Sequence, residues 1–104
     1  PIDFVWNQGI YNIDFWSVIK NAPNKENAMK FLAFASEAKN QAVLSQIIPY
    51  GPVNTGAFKY LDAKVISNLP SYEKNKKQMI RFSNDFWMAN RVKYVELWLE
   101  WTLK

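Results

Sequence analysis

The side chains best suited to bind a small molecule are an aspartate and several aromatic rings in the first half of the chain. A carboxylate such as Asp14 pairs with an ammonium group, and aromatic rings can enclose the carbons and polarised hydrogens next to that charge. The candidate rings lie on both sides of the acid in the sequence: Trp6, Tyr11, Trp16 and Tyr50. This set predicts recognition of a cation through non-covalent contacts.

Covalent chemistry has little support in the composition. The chain contains no histidine and no cysteine, which removes the commonest general base, thiol nucleophiles and cysteine metal sites. The 9 aspartates and glutamates are scattered and do not form the pairs that a hydrolase needs. We therefore predict that the protein is not an enzyme, and we assign no catalytic residue, cofactor or metal site.

Basic residues are spread along the chain, which carries a formal net charge of +4. Their one dense cluster, Lys74, Lys76 and Lys77, is typical of a solvated loop. Basic charge together with 16% aromatic residues is compatible with a nucleic-acid-binding function, in which aromatic rings stack on bases and basic side chains contact phosphates. Because the sequence contains no DNA- or RNA-binding motif, we predict no nucleic-acid partner.

The start of the chain is typical of a cut within a domain. The first residue is Pro1, and an apolar run begins at once, without a polar lead-in. No apolar run approaches the roughly 18 residues that span a membrane, and no signal peptide is visible. We expect a secretory signal to lie upstream.

Two strands are predicted near the start, over residues 2–6 and 15–19. Side chains alternate between apolar and other types in the first of these, and the Asn-Gln-Gly ending at Gly9 breaks it.

Two helices follow, separated by an interruption at residues 36–40. Asn24 is a good N-cap for the first helix, and Pro49 must end the second. Each helix has an apolar stripe at helical spacing, which we assign to the core. The stripes are Ala28, Phe31, Leu32 and Ala35 on the first helix and Val43, Leu44, Ile47 and Ile48 on the second.

The loop at residues 49–52 is strongly specified. Pro49, Gly51 and Pro52 restrict the backbone, so that Tyr50 should be held in a defined place. Asn54 or Thr55 can then cap a short helix.

The rest of the chain is predicted to contain one more short turn and a long final helix. Asp62 can cap the short turn, and residues 71–78 read as an exposed linker. The final helix starts near Asn84 or Asp85 and continues to Leu103. It is apolar and aromatic on two adjacent sides, so it needs packing on both.

Residues 14–54 carry a recognisable order of elements: an acid, a strand, Ala-Pro-Asn at the start of a helix, and an aromatic loop after the second helix. This order resembles the C-terminal part of the solute-binding proteins of ABC importers, in particular the spermidine/putrescine-binding group. The resemblance implies an α/β fold that is a fragment of a two-lobed, type II periplasmic-binding-protein fold, mostly helical with about two strands in this portion. Residues 1–104 would be its C-terminal portion, with the N-terminal portion absent.

The resemblance also implies particular ligand contacts. In the polyamine-binding group an aspartate ten residues before the helix-starting asparagine contacts the ligand amine, and here Asp14 stands at that distance from Asn24. A tyrosine in the loop after the second helix contacts the ligand, which corresponds to Tyr50, and a polar residue near the final helix corresponds to Asn84 or Asp85. The predicted ligand-binding residues are Asp14, Tyr50, Trp6, Tyr11 and Asp85. We expect Trp16 to pack in the core.

The ligand class stays open at this point. Where polyamine binders of the group commonly have a tryptophan two residues before the acid, this chain has Asn12. Residues 7–12 can instead shape the pocket for another small amine, an amino acid such as a 4-aminobutyrate-like zwitterion, or an osmolyte.

The function implied by the resemblance is capture of a small amine-containing solute for a membrane permease, in the periplasm or at the outer face of the membrane. An alternative is a helical protein-interaction module that uses the aromatic final helix and binds no small molecule. If these residues are isolated on their own, their unpaired apolar surfaces should drive self-association.

Overall fold

The computed structural model describes residues 3–104, which form five α-helices, one 3₁₀ helix and two very short strands. In chain order the elements are β1 (Ile10–Tyr11), α1 (Lys25–Ala35), α2 (Ala38–Ile47), the 3₁₀ helix (Thr55–Tyr60), α3 (Ala63–Ser67), α4 (Glu73–Lys76), β2 (Ile80–Arg81) and α5 (Asn84–Thr102). This content agrees with the expected mostly helical α/β portion with two strands.

The strands lie elsewhere than the alternation predicts. β1 pairs with β2 in parallel, with Ile10 opposite Ile80, and residues 15–19 belong to no strand. Residues 3–6 form no strand either, and the beginning of that predicted strand lies outside the described residues. Both predictions are wrong because a strand requires a pairing partner, and the partner of β1 comes from far along the chain, where local alternation gives no signal.

The first two helices follow their sequence signals. α1 begins directly after Asn24, although the Asn24 side chain makes no capping hydrogen bond. α1 ends at Ala35, and α2 begins at Ala38 after the extended backbone of Glu37. α2 ends at Ile47, just before Pro49, as predicted.

The 3₁₀ helix and α3 also begin near the predicted caps. The Asn54 side chain accepts a hydrogen bond from the Gly56 backbone N–H at 3.0 Å, and Asp62 occupies the N-cap position of α3 without a side-chain bond.

The predicted exposed linker at residues 71–78 is wrong. It contains α4, and Asn75 within it is only 5% exposed. The Asn75 side-chain amide donates to the backbone carbonyls of Ser67 at 2.8 Å and Leu69 at 3.0 Å. These bonds fix the segment to the end of α3, which the polar composition of the segment does not reveal.

The final helix begins where the sequence predicts and is capped one residue earlier. The Ser83 hydroxyl accepts a hydrogen bond from the Phe86 backbone N–H at 3.2 Å, and α5 then runs from Asn84 to Thr102. None of the helices in the described residues is long and apolar enough to span a membrane.

The core is small, and most predicted core residues are exposed. The buried apolar residues include Ala42, Ala57 and Leu69, whereas α1 and α5 contain no buried residue, and Phe31 of the first apolar stripe is 51% exposed. The radius of gyration is 17.7 Å, against about 13 Å for a compact domain of this length. The apolar stripes are present, but the described residues do not cover them. Self-association of these residues in isolation stays a prediction.

Candidate functional site

An open groove lies between residues 14–17, which follow β1, and the C-terminal end of α2 with the loop after it. Its volume is about 460 Å³, within the range of small-molecule sites. The lining residues are Asp14, Phe15, Trp16, Ser17, Leu44, Ile48 and Tyr50. This surface, called the Asp14 groove below, brings together two residues that the sequence predicts to bind ligand, Asp14 and Tyr50.

Asp14 is the one lining residue with a carboxylate, and no lysine or arginine lines the groove. Within residues 3–104 no basic side chain forms an ion pair with Asp14. Its Oδ1 accepts one long hydrogen bond, from Asn12 Nδ2 at 3.5 Å. The carboxylate therefore retains acceptor capacity for an ammonium group.

Two aromatic rings flank the groove. Trp16 is 68% exposed and Tyr50 is 62% exposed. Trp16 packs edge-on against Phe31, with ring centroids 5.4 Å apart, so that α1 supports it from one side. The expectation that Trp16 packs in the core is wrong. Its position two residues after Asp14 was the available signal, because residues 14–17 all line the groove.

The apolar surface of the groove comes partly from residues that we assigned to the core. Leu44 and Ile48 belong to the second apolar stripe and are 46% and 41% exposed. Together with Phe15 they supply apolar area next to the acid. Helical spacing identifies such residues as one face of α2, but it does not distinguish a ligand-facing surface from a core.

The Tyr50 loop is tied to α2. The Tyr50 carbonyl accepts a hydrogen bond from the Ser45 hydroxyl at 2.8 Å, and the Tyr50 N–H donates to the Ile48 carbonyl at 2.6 Å. The ring is therefore attached to a fixed piece of backbone, as the prolines of the loop predict.

The structure does not bring the other predicted ligand residues to the groove. Trp6 packs against Phe4 with ring centroids 4.5 Å apart. Tyr11 lies in β1, where Lys76 Nζ is 5.9 Å from the centre of its ring, and Asp85 lies in the first turn of α5. A ligand role for Trp6, Tyr11 and Asp85 stays a prediction.

Another concavity within the described residues, of about 340 Å³, is a weaker candidate for binding a cation. It also contains an acid, Glu73, but Lys77 Nζ lies 3.3 Å from the Glu73 carboxylate. A cationic ligand would have to compete with this lysine, whereas no such competitor is present at Asp14. Within residues 3–104, no group of three or more metal-ligating side chains is placed to hold a metal ion.

Comparison with known proteins identifies the family of the chain. Residues 1–77 match the family described as bacterial extracellular solute-binding protein. The chain belongs to this family. The resemblance to solute-binding proteins is thereby confirmed at the family level, while assignment to the spermidine/putrescine group is a finer statement that the match does not reach.

One curated relative of this solute-binding protein chain is the gamma-aminobutyric acid-binding protein of Pseudomonas aeruginosa. The two are 39% identical over 84 residues, which is 81% of this chain and 24% of the relative. The chain thus spans about a quarter of the length of the relative that it matches. No solved structure gives a significant match.

Proposed function

We propose that the chain is the C-terminal portion of the substrate-binding component of an ABC importer, which captures a small amine-containing solute and delivers it to a membrane permease. The complete protein would work in the periplasm or, anchored, at the outer face of the membrane. The Asp14 groove would form one side of the ligand site.

The observation that carries this proposal is that one concavity brings together two exposed rings and an acid that has no basic partner among residues 3–104. An ammonium group placed at Asp14 would gain a charge-assisted hydrogen bond, and its polarised neighbouring methylenes could lie against Trp16 and Tyr50. Leu44 and Ile48 offer apolar area for the rest of a short alkyl chain. This arrangement needs no covalent step.

Within this class we favour an amino acid with a terminal amine, such as 4-aminobutyrate, over a polyamine. A polyamine carries two or more ammonium groups, and each would need its own acceptor, whereas the groove offers one carboxylate, that of Asp14. A zwitterion needs one acid here and donors for its carboxylate on the opposite side of the site. The name of the Pseudomonas aeruginosa relative, a gamma-aminobutyric acid-binding protein, supports the same class.

The interactions that the Asp14 groove offers are too weak to give tight binding, so other parts of the complete protein must contribute to the binding free energy. A micromolar dissociation constant corresponds to about 8 kcal/mol. One cation–π contact contributes about 0.5–2 kcal/mol, and one hydrogen bond to a charged group contributes about 1.5–3 kcal/mol. Because the groove is open and its rings are exposed, residues 1–104 alone should bind amines at millimolar concentration or not at all.

The test is isothermal titration calorimetry on the full-length protein that contains this chain, with 4-aminobutyrate, putrescine and spermidine. We expect saturable micromolar binding of 4-aminobutyrate and weaker binding of the two polyamines. Tighter binding of a polyamine would show that the proposed ligand class is wrong, while the proposed receptor function would stand. No heat with any amine would refute the capture of an amine.

A charge-matched pair of variants connects the binding to the groove. Asp14→Asn removes the carboxylate from the groove, and Asp62→Asn removes an exposed carboxylate that lies outside it and makes no side-chain capping bond. We expect a loss of at least about tenfold in affinity for Asp14→Asn, consistent with the hydrogen bond to a charged group, and little change for Asp62→Asn. Equal effects of the two variants would contradict a site at Asp14.

A further inference from the structure

We propose that Ser45 and Gly51 are positioning residues of the ligand site: they hold the backbone of Tyr50 from two sides, although neither residue lines the Asp14 groove. The inference rests on the proposed function, because it assigns Tyr50 a ligand contact. The position of Tyr50 can also be measured in the protein without ligand, so this part of the inference can be tested independently of ligand binding.

Ser45 holds the loop from the side of α2. It is 4% exposed, and its hydroxyl donates to the Tyr50 carbonyl at 2.8 Å. A serine inside a helix commonly bonds back to the carbonyl four residues earlier. Here the hydroxyl instead reaches forward, past the end of α2, to the residue whose ring faces the groove.

The loop has few other means of holding its backbone. The Ile48 N–H donates back to the Leu44 carbonyl of α2 at 2.9 Å. After it, Pro49 and Pro52 have no N–H to donate, so Tyr50 and Gly51 supply the amide donors within residues 49–52. The Tyr50 N–H bonds only locally, to Ile48. A side-chain donor such as Ser45 therefore carries much of the attachment of this loop to the helix.

Gly51 gives the loop a second contact, a close approach to Ser71. A Cβ atom added at Gly51 would lie 2.6 Å from the Ser71 Cβ and 2.7 Å from the Ser71 backbone nitrogen, closer than such atoms pack. Since Gly51 does not have a positive φ, space and not backbone conformation requires the glycine. The neighbouring Pro52 is buried, so the loop has little room to retreat.

The consequence is a ring that is exposed on a backbone that is fixed. A preorganised contact gives affinity because binding does not have to order it. Loss of the Ser45 hydroxyl should therefore weaken ligand binding by about three- to tenfold, the range expected for one neutral hydrogen bond. Gly51→Ala should weaken it at least as much, because Ser71 cannot move aside as a flexible side chain could.

The experiment uses the full-length protein with four variants at these positions: Ser45→Ala, Ser45→Thr, Ser45→Val and Gly51→Ala. Thr and Val have nearly the same shape, so overpacking at this buried position affects both, and only Thr keeps the hydroxyl. Ser67→Ala is the control, because its hydroxyl also donates to a backbone carbonyl, at 2.9 Å, but on exposed α3.

The first readout is ligand-free fluorine NMR of protein labelled with 3-fluorotyrosine, with the Tyr50 signal identified by its absence in Tyr50→Phe. We expect this signal to shift or broaden in Ser45→Ala, Ser45→Val and Gly51→Ala, and to stay closer to its native position in Ser45→Thr and Ser67→Ala. The second readout is the dissociation constant for 4-aminobutyrate and for putrescine, which should follow the same order.

The two readouts separate the possible failures. An unchanged Tyr50 signal in Ser45→Ala and Gly51→Ala overturns the positioning role, and so does a changed signal with unchanged affinity. A native Tyr50 signal and native affinity in Ser45→Val also overturn it, since the hydroxyl would then be irrelevant. If native protein binds neither amine while the NMR signal responds as expected, the positioning of Tyr50 stands and the proposed function fails.

Discussion

Replacing Asn75 with alanine should destabilise the segment between α3 and β2 far more than its polar, linker-like sequence suggests. Asn75 is buried, and its side-chain amide bridges two backbone carbonyls, those of Ser67 and Leu69. Alanine removes both donors at once and leaves the Leu69 carbonyl in a buried position without this partner.

The expected magnitude comes from these two bonds. Each is a neutral hydrogen bond of good length, 2.8 and 3.0 Å, and contributes about 0.5–1.5 kcal/mol net. The free energy of unfolding should therefore fall by about 1–3 kcal/mol. The Leu69 carbonyl keeps a second hydrogen bond, from the Tyr72 backbone N–H at 3.1 Å, so it is not left without any partner.

Asn68→Ala is the matched control for this prediction. The Asn68 side-chain amide donates to the Lys64 carbonyl at 3.1 Å, but Asn68 is exposed and water can replace the bond. Its loss should cost less than about 0.5 kcal/mol. Both variants make the same chemical change, asparagine to alanine, so the difference between their losses in free energy of unfolding reports the effect of burial.

The assay is urea unfolding of the full-length protein, followed by far-ultraviolet circular dichroism. We expect a lower midpoint for Asn75→Ala with an unchanged slope, and a midpoint close to native for Asn68→Ala. A loss for Asn75→Ala no larger than that for Asn68→Ala would refute the claim that Asn75 anchors this segment.

The same unfolding assay checks three other expectations. Asn54→Ala should lose about 1–2 kcal/mol, because the side chain caps the 3₁₀ helix and also donates to a backbone carbonyl before α2; a loss below about 0.3 kcal/mol would contradict it. Gln8→Gly should raise stability by up to about 1 kcal/mol, since Gln8 has a φ of 62°, a region that disfavours residues with a Cβ; any decrease would count against this reading of the turn. Glu73→Gln should change stability by less than about 0.5 kcal/mol, because its ion pair with Lys77 is mostly exposed, and a clear loss would show that the pair is stronger than its exposure suggests.

Helix boundaries were predictable from the sequence because their causes are local. Asn24 marks the start of α1, Pro49 ends α2, and the polar residues before Phe86 mark the start of α5. The missing N–H of proline and the capping hydroxyl of Ser83 act within a turn of the boundary that they set, whereas Asn24 marks the start of α1 without a side-chain capping bond.

Strand positions and the core were not predictable in the same way. The pairing of Ile10 with Ile80 is a long-range contact, and the predicted strand at residues 15–19 has no ladder to join. Apolar spacing identifies one face of a helix but not what covers that face. The predicted stripes are therefore present, but Phe31 on α1 and all four residues of the second stripe are exposed within the described residues.

The candidate site was predictable in part. The resemblance to the importer receptors selected Asp14 and Tyr50, and these two residues line one groove. Trp16 was missed because a strand tryptophan is usually a core residue. Leu44 was missed because apolar residues at helical spacing look the same in the sequence whether they face a core or line a groove. The buried hydroxyl of Ser45 gives no sequence signal, since its role depends on a contact with the loop after the helix.

The most direct test of the central claim is a crystal structure of the full-length protein with 4-aminobutyrate bound. We expect the ligand nitrogen to lie about 3 Å from the Asp14 carboxylate, with the ligand methylenes against Trp16 and Tyr50. A ligand bound elsewhere, or one whose carboxylate and not its amine faces Asp14, would contradict a site at Asp14.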